Sequence, residues 1–207
     1  MTRKPKPSGL PNKGKKQGRR PNDALPLRAY FLIVCEGAKT EPYYFKRFRV
    51  KAEVKTEVVG MGDNTLSLVK RTCELQEQED YTEVWVVFDR DSFPPEQFNE
   101  AIRLAQREGI HVAYSNEAFE IWYLLHFCYH DSATSRDLYQ QMLTERLGYP
   151  YHKNDRRMYD KLLEYQSTAI RNAERLLASY GPQHNPEKDN PCTTVHKLVQ
   201  ALNQHAP

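Results

Sequence analysis

Cysteine is scarce in this sequence and never occurs in closely spaced pairs. The four cysteines are far apart among the 207 residues and form no CxxC motif: Cys35, Cys73, Cys128 and Cys192. A disulfide framework or a zinc knuckle would need closely spaced cysteines, so the sequence predicts neither. The pattern favours reduced thiols packed inside a cytoplasmic protein.

Long apolar runs are also missing. No segment approaches the roughly 18 apolar residues that a membrane-spanning helix requires, and the N-terminus has no apolar stretch of the secretory type. The motif GxxxxGK[ST] is absent, so the sequence predicts no P-loop for ATP. We therefore expect no membrane partner. Any ATP-dependent step would need a partner ATPase.

Acidic residues are almost absent from residues 1–28. This segment has nine Lys and Arg residues, including Arg19 and Arg20, but only one acid, Asp23. It also holds five of the 13 prolines, so it cannot bury a core and is predicted to be a disordered basic arm. Two roles remain open for the arm. It either holds the phosphate backbone of nucleic acid without sequence preference or only keeps the protein soluble.

Strand-like and helical patterns alternate from residue 29 to residue 115. Apolar or β-branched runs predict strands at residues 29–35, 54–59, 84–88 and 110–114. Helical spacing predicts helices at residues 42–50, 65–79 and 96–108. The alternation indicates an α/β core with a mainly parallel sheet flanked by helices. Residues 116–207 predict an α-helical C-terminal part packed on this core, with helices at 118–130, 136–147, 155–180 and 193–203.

Two of the predicted strands end in acidic residues. Glu36 follows the first strand, and Asp89, Arg90 and Asp91 follow the strand at residues 84–88. Ligands bind at the carboxyl ends of parallel strands, and neighbouring strands lie about 4.8 Å apart. We therefore expect the carboxylates to converge, and oxygen ligands of this kind favour Mg²⁺ or Mn²⁺. The alternative is that these acids only terminate strands and turns.

Four sequence blocks resemble a known family. In chain order they are FLIVCEGAKTEPYYF, VWVVFDRD, SNEAFEIWYLLHF and NPCTTVHKLVQAL. They resemble the RloB family, whose core is similar to the Toprim domain of primases, topoisomerases and OLD-family nucleases. The resemblance implies divalent-metal phosphoryl-transfer chemistry and a link to restriction and anti-phage defence. It thereby implies a restriction-system protein as a further candidate partner. In the Toprim pattern a glutamate follows the first strand and a DxD motif follows a later one, which here are Glu36, Asp89 and Asp91.

Two further glutamates are candidate metal ligands. Glu41 resembles a second glutamate of OLD-type nucleases, although the spacing here is one residue longer, and it could instead favour a helix N-terminus. Glu120 is the only acid within residues 119–127 and matches the family block, and its alternative role is a buried structural carboxylate. His126 and His130 have a spacing that can bind zinc, but no third ligand accompanies them, so we predict that His126 packs in the core.

Basic residues near these acids are candidate contacts for nucleic acid. Lys39 and Lys153 could contact a phosphate, because nucleases often stabilise the charge on phosphorus with a cation. Arg90, between the two aspartates, is a third candidate, and Arg19 and Arg20 of the basic arm complete the set.

The leading hypothesis is a Mg²⁺- or Mn²⁺-dependent nuclease of the RloB type that acts on DNA or RNA, tRNA included, in anti-phage defence. Glu36, Asp89, Asp91, Glu120 and Lys153 are the predicted catalytic residues, and Glu41 is a further predicted ligand. The alternative is a non-catalytic nucleic-acid-binding or assembly subunit of a defence complex. A homodimer remains open in both cases.

Overall fold

The structure is a computed structural model that describes residues 29–62, 65–90 and 95–207. The basic arm, with Arg19 and Arg20, lies outside the described residues, and so does Asp91. What the sequence predicts for these residues therefore stays a prediction.

A five-stranded sheet forms the centre of the described part of the chain. The strands are β1 (Ala29–Cys35), β2 (Val54–Gly60), β3 (Glu83–Asp89), β4 (His111–Asn116) and β5 (Cys192–Thr193). Their spatial order is β2-β1-β3-β4-β5. The first four strands are parallel, and β5 alone runs antiparallel to its neighbour β4. The predicted mainly parallel sheet is therefore confirmed.

Helices cover both faces of the sheet. They are α1 (Thr40–Phe45), α2 (Thr65–Gln76), α3 (Pro95–Arg107), α4 (Glu120–Leu124), α5 (Arg136–Leu147), α6 (Met158–Leu162), α7 (Gln166–Ser179) and α8 (Val195–Asn203). Short 3-10 turns lie at Leu163–Tyr165 and Gly181–Gln183. The helical C-terminal part is thus confirmed as well. In the described residues no helix combines the length and apolar character needed to cross a membrane.

The central strand β1 is buried on both sides because its alternate side chains enter two separate cores. Phe31 and Ile33 belong to the core that contains α1 and helices α4 to α8. Leu32 and Val34 belong to the core formed with α2 and α3. This two-sided burial explains why the strand is an uninterrupted apolar run rather than an alternating one.

The C-terminal part differs from the prediction at three helices. The segment at residues 118–130 was expected to be one helix, but only Glu120–Leu124 is α-helical. Residues 155–180 form α6, a 3-10 turn and α7 instead of a single helix. The helix expected from residue 193 begins at Val195. In the first segment, residues 118–126 are all buried, so the apolar residues carry no helical period that would mark the end of the helix.

Thr193, the first residue of the last predicted helix, lies instead in the short strand β5, which pairs with the sheet. Cys192 and Thr193 pair with Asn116 and Ser115 of β4. The Thr194 hydroxyl accepts a hydrogen bond of 2.9 Å from the Tyr114 amide, which lies beyond the end of this short pairing. The C-terminal part is therefore joined to the α/β core through main-chain contacts as well as through side-chain packing.

Two buried histidines make the stability of this fold depend on pH. His126 and His196 are 1% and 3% exposed, and burial lowers the pKa of each to about 4, from an ordinary value of 6.5. The His126 Nδ1 lies 2.8 Å from the carbonyl oxygen of Trp122, which can only accept, so Nδ1 carries the proton of the neutral ring.

We expect the free energy of unfolding to fall as the pH drops from about 6.5 to 4, because the unfolded chain then binds more protons than the folded one. Each histidine contributes a loss on the order of 3 kcal/mol across this range. In His126→Asn, which keeps an N–H donor near Nδ1, urea unfolding at pH 7 and pH 4.5 should show a smaller loss. The exposed His152→Asn is the control, and an unchanged loss in His126→Asn would contradict the prediction.

Candidate functional site

The ends of β1 and β3 bring two acidic side chains together. The two strands are direct neighbours in the sheet, and the Glu36 amide continues their pairing with a hydrogen bond of 2.8 Å to the carbonyl of Val87. The Asp89 amide donates a hydrogen bond of 3.0 Å to Glu36 Oε2. Thr65 Oγ1, at the start of α2, donates to Glu36 Oε1 at 3.3 Å. The Glu36 carboxylate is thus fixed from two sides.

Two glycines allow the loop after β1 to fold closely against the sheet. A Cβ atom on residue 37 would collide with Glu41 Oε2, so only glycine leaves room for this carboxylate. A Cβ atom on residue 60, at the end of β2, would lie 2.7 Å from the carbonyl oxygen of Gly37 and 2.8 Å from Pro42 Cγ. These contacts determine the path of the loop and direct Glu41 inward.

Glu41 is a buried carboxylate in the first turn of α1, with 6% of its surface exposed. Its Oε2 has no hydrogen-bond partner in the described part of the chain. Burial raises the pKa of Glu41 to about 7, and the charge of Glu120 adds to this, whereas its own backbone amide, Arg136 and Lys153 act in the opposite direction. A glutamate that only favoured a helix N-terminus would face solvent, and this one does not.

Asp89 is a second buried carboxylate, 5% exposed, at the end of β3. Its Oδ2 accepts a hydrogen bond of 3.2 Å from Arg136 Nη2, while Oδ1 has no hydrogen-bond partner within the described residues. Burial raises the pKa of Asp89 well above its ordinary value, and the charges of Glu41 and Glu120 raise it further. Arg136 opposes this shift but does not cancel it.

Glu120 is the first residue of α4 and is 2% exposed. Its Oε1 accepts a hydrogen bond of 3.2 Å from the Tyr151 hydroxyl. The two roles predicted for this residue are therefore not exclusive. Glu120 is a buried, hydrogen-bonded carboxylate, and it also faces the same space as Glu36, Glu41 and Asp89.

These four acids line one cleft of about 570 Å³, here called the acidic cleft. Its described lining residues are Glu36, Gly37, Ala38, Lys39, Thr40, Glu41, Gly62, Asp89, Phe119, Glu120, Arg136, Lys153 and Asn154. Within residues 29–62, 65–90 and 95–207, no three acidic, histidine or cysteine side chains are already arranged around one metal position.

Of the basic residues predicted to contact nucleic acid, two line the acidic cleft and Arg90 does not. Lys39 and Lys153 line the acidic cleft, and the Lys153 segment is joined to α1 by a hydrogen bond of 3.3 Å from Thr40 Oγ1 to the Lys153 carbonyl. Arg90 is half-buried and is not among the lining residues. Its main-chain amide donates a hydrogen bond of 2.9 Å to the carbonyl of Ser115.

Sequence reasoning missed Arg136, which lines the cleft and forms an ion pair with Asp89. This arginine is the first residue of α5, 47 positions after Asp89. It belongs to none of the four sequence blocks, and many other basic residues resemble it in context. No signal in a single sequence would have selected it.

The acidic cleft can hold a hard cation next to an anion. Glu41 Oε2 and Asp89 Oδ1 are buried carboxylate oxygens that lack a hydrogen-bond donor in the described structure, and such oxygens need a proton or a cation. Glu36 and Glu120 supply further oxygen atoms of the kind that Mg²⁺ and Mn²⁺ prefer. The cationic side chains on the same cleft suit a phosphate group.

A comparison with protein-family models matches residues 31–202 to the RloB-like protein family. The comparisons with curated proteins and with solved structures returned no significant match. The matched range includes all the described residues that line the acidic cleft. The chain therefore belongs to the RloB-like family.

Proposed function

We propose that this protein is a metal-dependent nuclease that hydrolyses phosphodiester bonds in DNA or RNA within the acidic cleft. The observation that carries the proposal is the pair of buried carboxylate oxygens, Glu41 Oε2 and Asp89 Oδ1, which face a cleft also lined by basic side chains. Such oxygens are costly to the fold unless a cation or a proton compensates them. RloB-type proteins are associated with restriction and anti-phage defence, and we propose the same setting here.

Glu36, Glu41, Asp89 and Glu120 would hold Mg²⁺ or Mn²⁺, together with Asp91 of the Toprim-like pattern. A bound divalent cation supplies an activated water and stabilises the charge on the leaving oxygen of a phosphodiester. Lys39, Lys153 and Arg136 contribute positive charge for the scissile phosphate.

Glu41 also has a role in proton balance. With its pKa raised to about 7, this carboxyl holds a proton for much of the time at neutral pH when no cation is present. Cation binding would release that proton, since a carboxylate ligand must be ionised. Cys35, next to Glu36 in sequence, is not a competing nucleophile, because burial and the charge of Glu41 raise the pKa of its thiol.

One observation favours a second candidate function. The described carboxylates are not already arranged as a three-ligand metal cluster, and Asp89 already has an ionic partner in Arg136. A non-catalytic nucleic-acid-binding or assembly subunit of a defence complex would have these properties. In that case a partner protein, such as an ATPase, would supply the chemistry.

The first test replaces a buried acid without changing its shape. We expect Glu41→Gln and Asp89→Asn each to lower Mn²⁺-dependent cleavage by about 100-fold or more, because each removes a charge that acts in the transition state. The assay uses a labelled DNA duplex and a labelled RNA hairpin. The exposed Glu164→Gln is the matched control and should retain wild-type activity. Full activity in both buried variants would favour the binding-subunit function.

The second test concerns the cost of the buried carboxylate. The folded pKa of Glu41 lies above its unfolded value, so the metal-free protein should lose stability as the pH rises from about 4.5 through 7. In Glu41→Gln this loss should be smaller by an amount on the order of 3 kcal/mol. Chemical denaturation in EDTA at pH 5 and pH 8 measures it, and identical pH profiles in both proteins would contradict the prediction.

The third test concerns the basic arm. Its nine Lys and Arg residues should bind the phosphate backbone by counterion release. Deleting residues 1–28 should therefore weaken binding to the duplex and the hairpin alike and flatten the salt dependence of both. Cleavage should persist at saturating substrate, because the acidic cleft lies in the folded part of the chain. An unaltered salt dependence would show that the arm does not hold nucleic acid.

A further inference from the structure

Arg136 has a position that differs from those of the other cations on the acidic cleft. Its guanidinium lies 3.2 Å from Asp89 Oδ2, and its side chain is 30% exposed, whereas that of Asp89 is 7% exposed. Lys39 and Lys153 are exposed, and neither forms an ion pair with a carboxylate among the described residues. Arg136 is thus the cleft cation that neutralises a buried acid.

The backbone of Arg136 is held in place while its side chain can change partners. Arg136 begins α5, and this helix is fixed in the core by Tyr139 and Leu143, both fully buried. The arginine side chain is long, and its guanidinium binds a carboxylate or a phosphate with the same planar set of donors. Asp89 uses only Oδ2 for this pair, which leaves Oδ1 available on the other side.

A divalent cation on Asp89 Oδ1 would repel the guanidinium on Oδ2, since both positive charges would share one carboxylate. A guanidinium that loses Asp89 would still lie at the cleft, because α5 does not move with it. A phosphate of the substrate bound in the same cleft would then offer the guanidinium a new anionic partner.

We propose that Arg136 exchanges one anion for another. It neutralises Asp89 while no cation is bound, leaves that carboxylate when a divalent cation binds, and then contacts the substrate phosphate. This inference rests on the proposed function. The exchange makes cation binding and phosphate binding cooperative. The cation releases the arginine for the phosphate, and the phosphate gives the displaced arginine a new partner. Without a cation, a phosphate in the cleft would be repelled by the carboxylates, and Arg136 would be paired with Asp89 rather than with the phosphate. Nucleic acid is therefore not held there.

The first measurement is Mn²⁺ affinity by titration calorimetry with wild-type protein, Arg136→Gln and Lys39→Gln. Arg136→Gln should bind Mn²⁺ about ten-fold more tightly, since no ion pair has to be broken first. Lys39→Gln removes the same charge from the same cleft and should change the affinity by less than about two-fold. Equal tightening in both variants would show a general charge effect and overturn the exchange. Weaker or unchanged binding in Arg136→Gln would overturn it too, because the arginine would then only position Asp89.

The second measurement is phosphate affinity, with AMP as a probe that has no phosphodiester bond to cleave. In the presence of Mn²⁺, Arg136→Gln should bind AMP about ten-fold more weakly than wild type, although it binds Mn²⁺ more tightly. Unchanged AMP binding would overturn the inference. Arg136→Lys keeps the charge but not the planar fork, so it should bind Mn²⁺ as wild type does and AMP with intermediate affinity.

The outcomes separate this inference from the function on which it rests. If wild-type protein does not bind Mn²⁺, the proposed function fails and the exchange fails with it. If wild type binds Mn²⁺ but the two variants do not differ as described, only the exchange fails. Thermal melting of each variant checks the fold, and if both Arg136 variants unfold, Arg136 is structural and the exchange is wrong.

Discussion

The hydrogen bond from the Asp89 amide to the Glu36 carboxylate is the contact around which the acidic cleft is arranged. It joins the carboxyl ends of two adjacent parallel strands with a distance of 3.0 Å. Because Glu36 is held in this way, the loop that follows must turn sharply, and it can do so only where Gly37 and Gly60 leave room. That turn directs Glu41 into the same space as Asp89. One hydrogen bond from main chain to side chain therefore helps to bring like charges together in a poorly solvated place.

The helical C-terminal part completes this arrangement rather than only covering the sheet. Three charged lining residues of the cleft, Glu120, Arg136 and Lys153, follow β4 in the chain. The hydroxyl of Tyr151, in the same part, donates a hydrogen bond to Glu120. The α/β core alone would present three acids and one lysine, so the charge balance of the cleft depends on how the C-terminal helices pack. Strand β5 and the following Thr194 strengthen that packing through their hydrogen bonds to β4.

The sequence predicted those features that strand order alone determines. Glu36 and Asp89 follow uninterrupted apolar runs, and parallel strands place their carboxyl ends at one edge, so their convergence could be expected. The inward direction of Glu41 could not, because it depends on a close contact with Gly37 that no periodicity reveals. Arg136 reaches Asp89 only through the packing of α5 on α4. The end of α4 was missed for a similar reason, since a segment buried on all sides shows no apolar stripe.

The charges on the cleft explain why a cation and a phosphate would have to bind there together. The described lining contains four acids and three basic residues; three of the acids are buried, whereas none of the basic residues is. A phosphate alone would meet carboxylates whose burial, together with the charges of the neighbouring acids, already raises the pKa of Glu41 and Asp89. A cation alone at Asp89 would lie close to the positive charge of Arg136 and would be repelled by it. When both bind, the cation compensates the carboxylates while the arginine and lysines compensate the phosphate, so each of the unfavourable contacts is replaced by a favourable one.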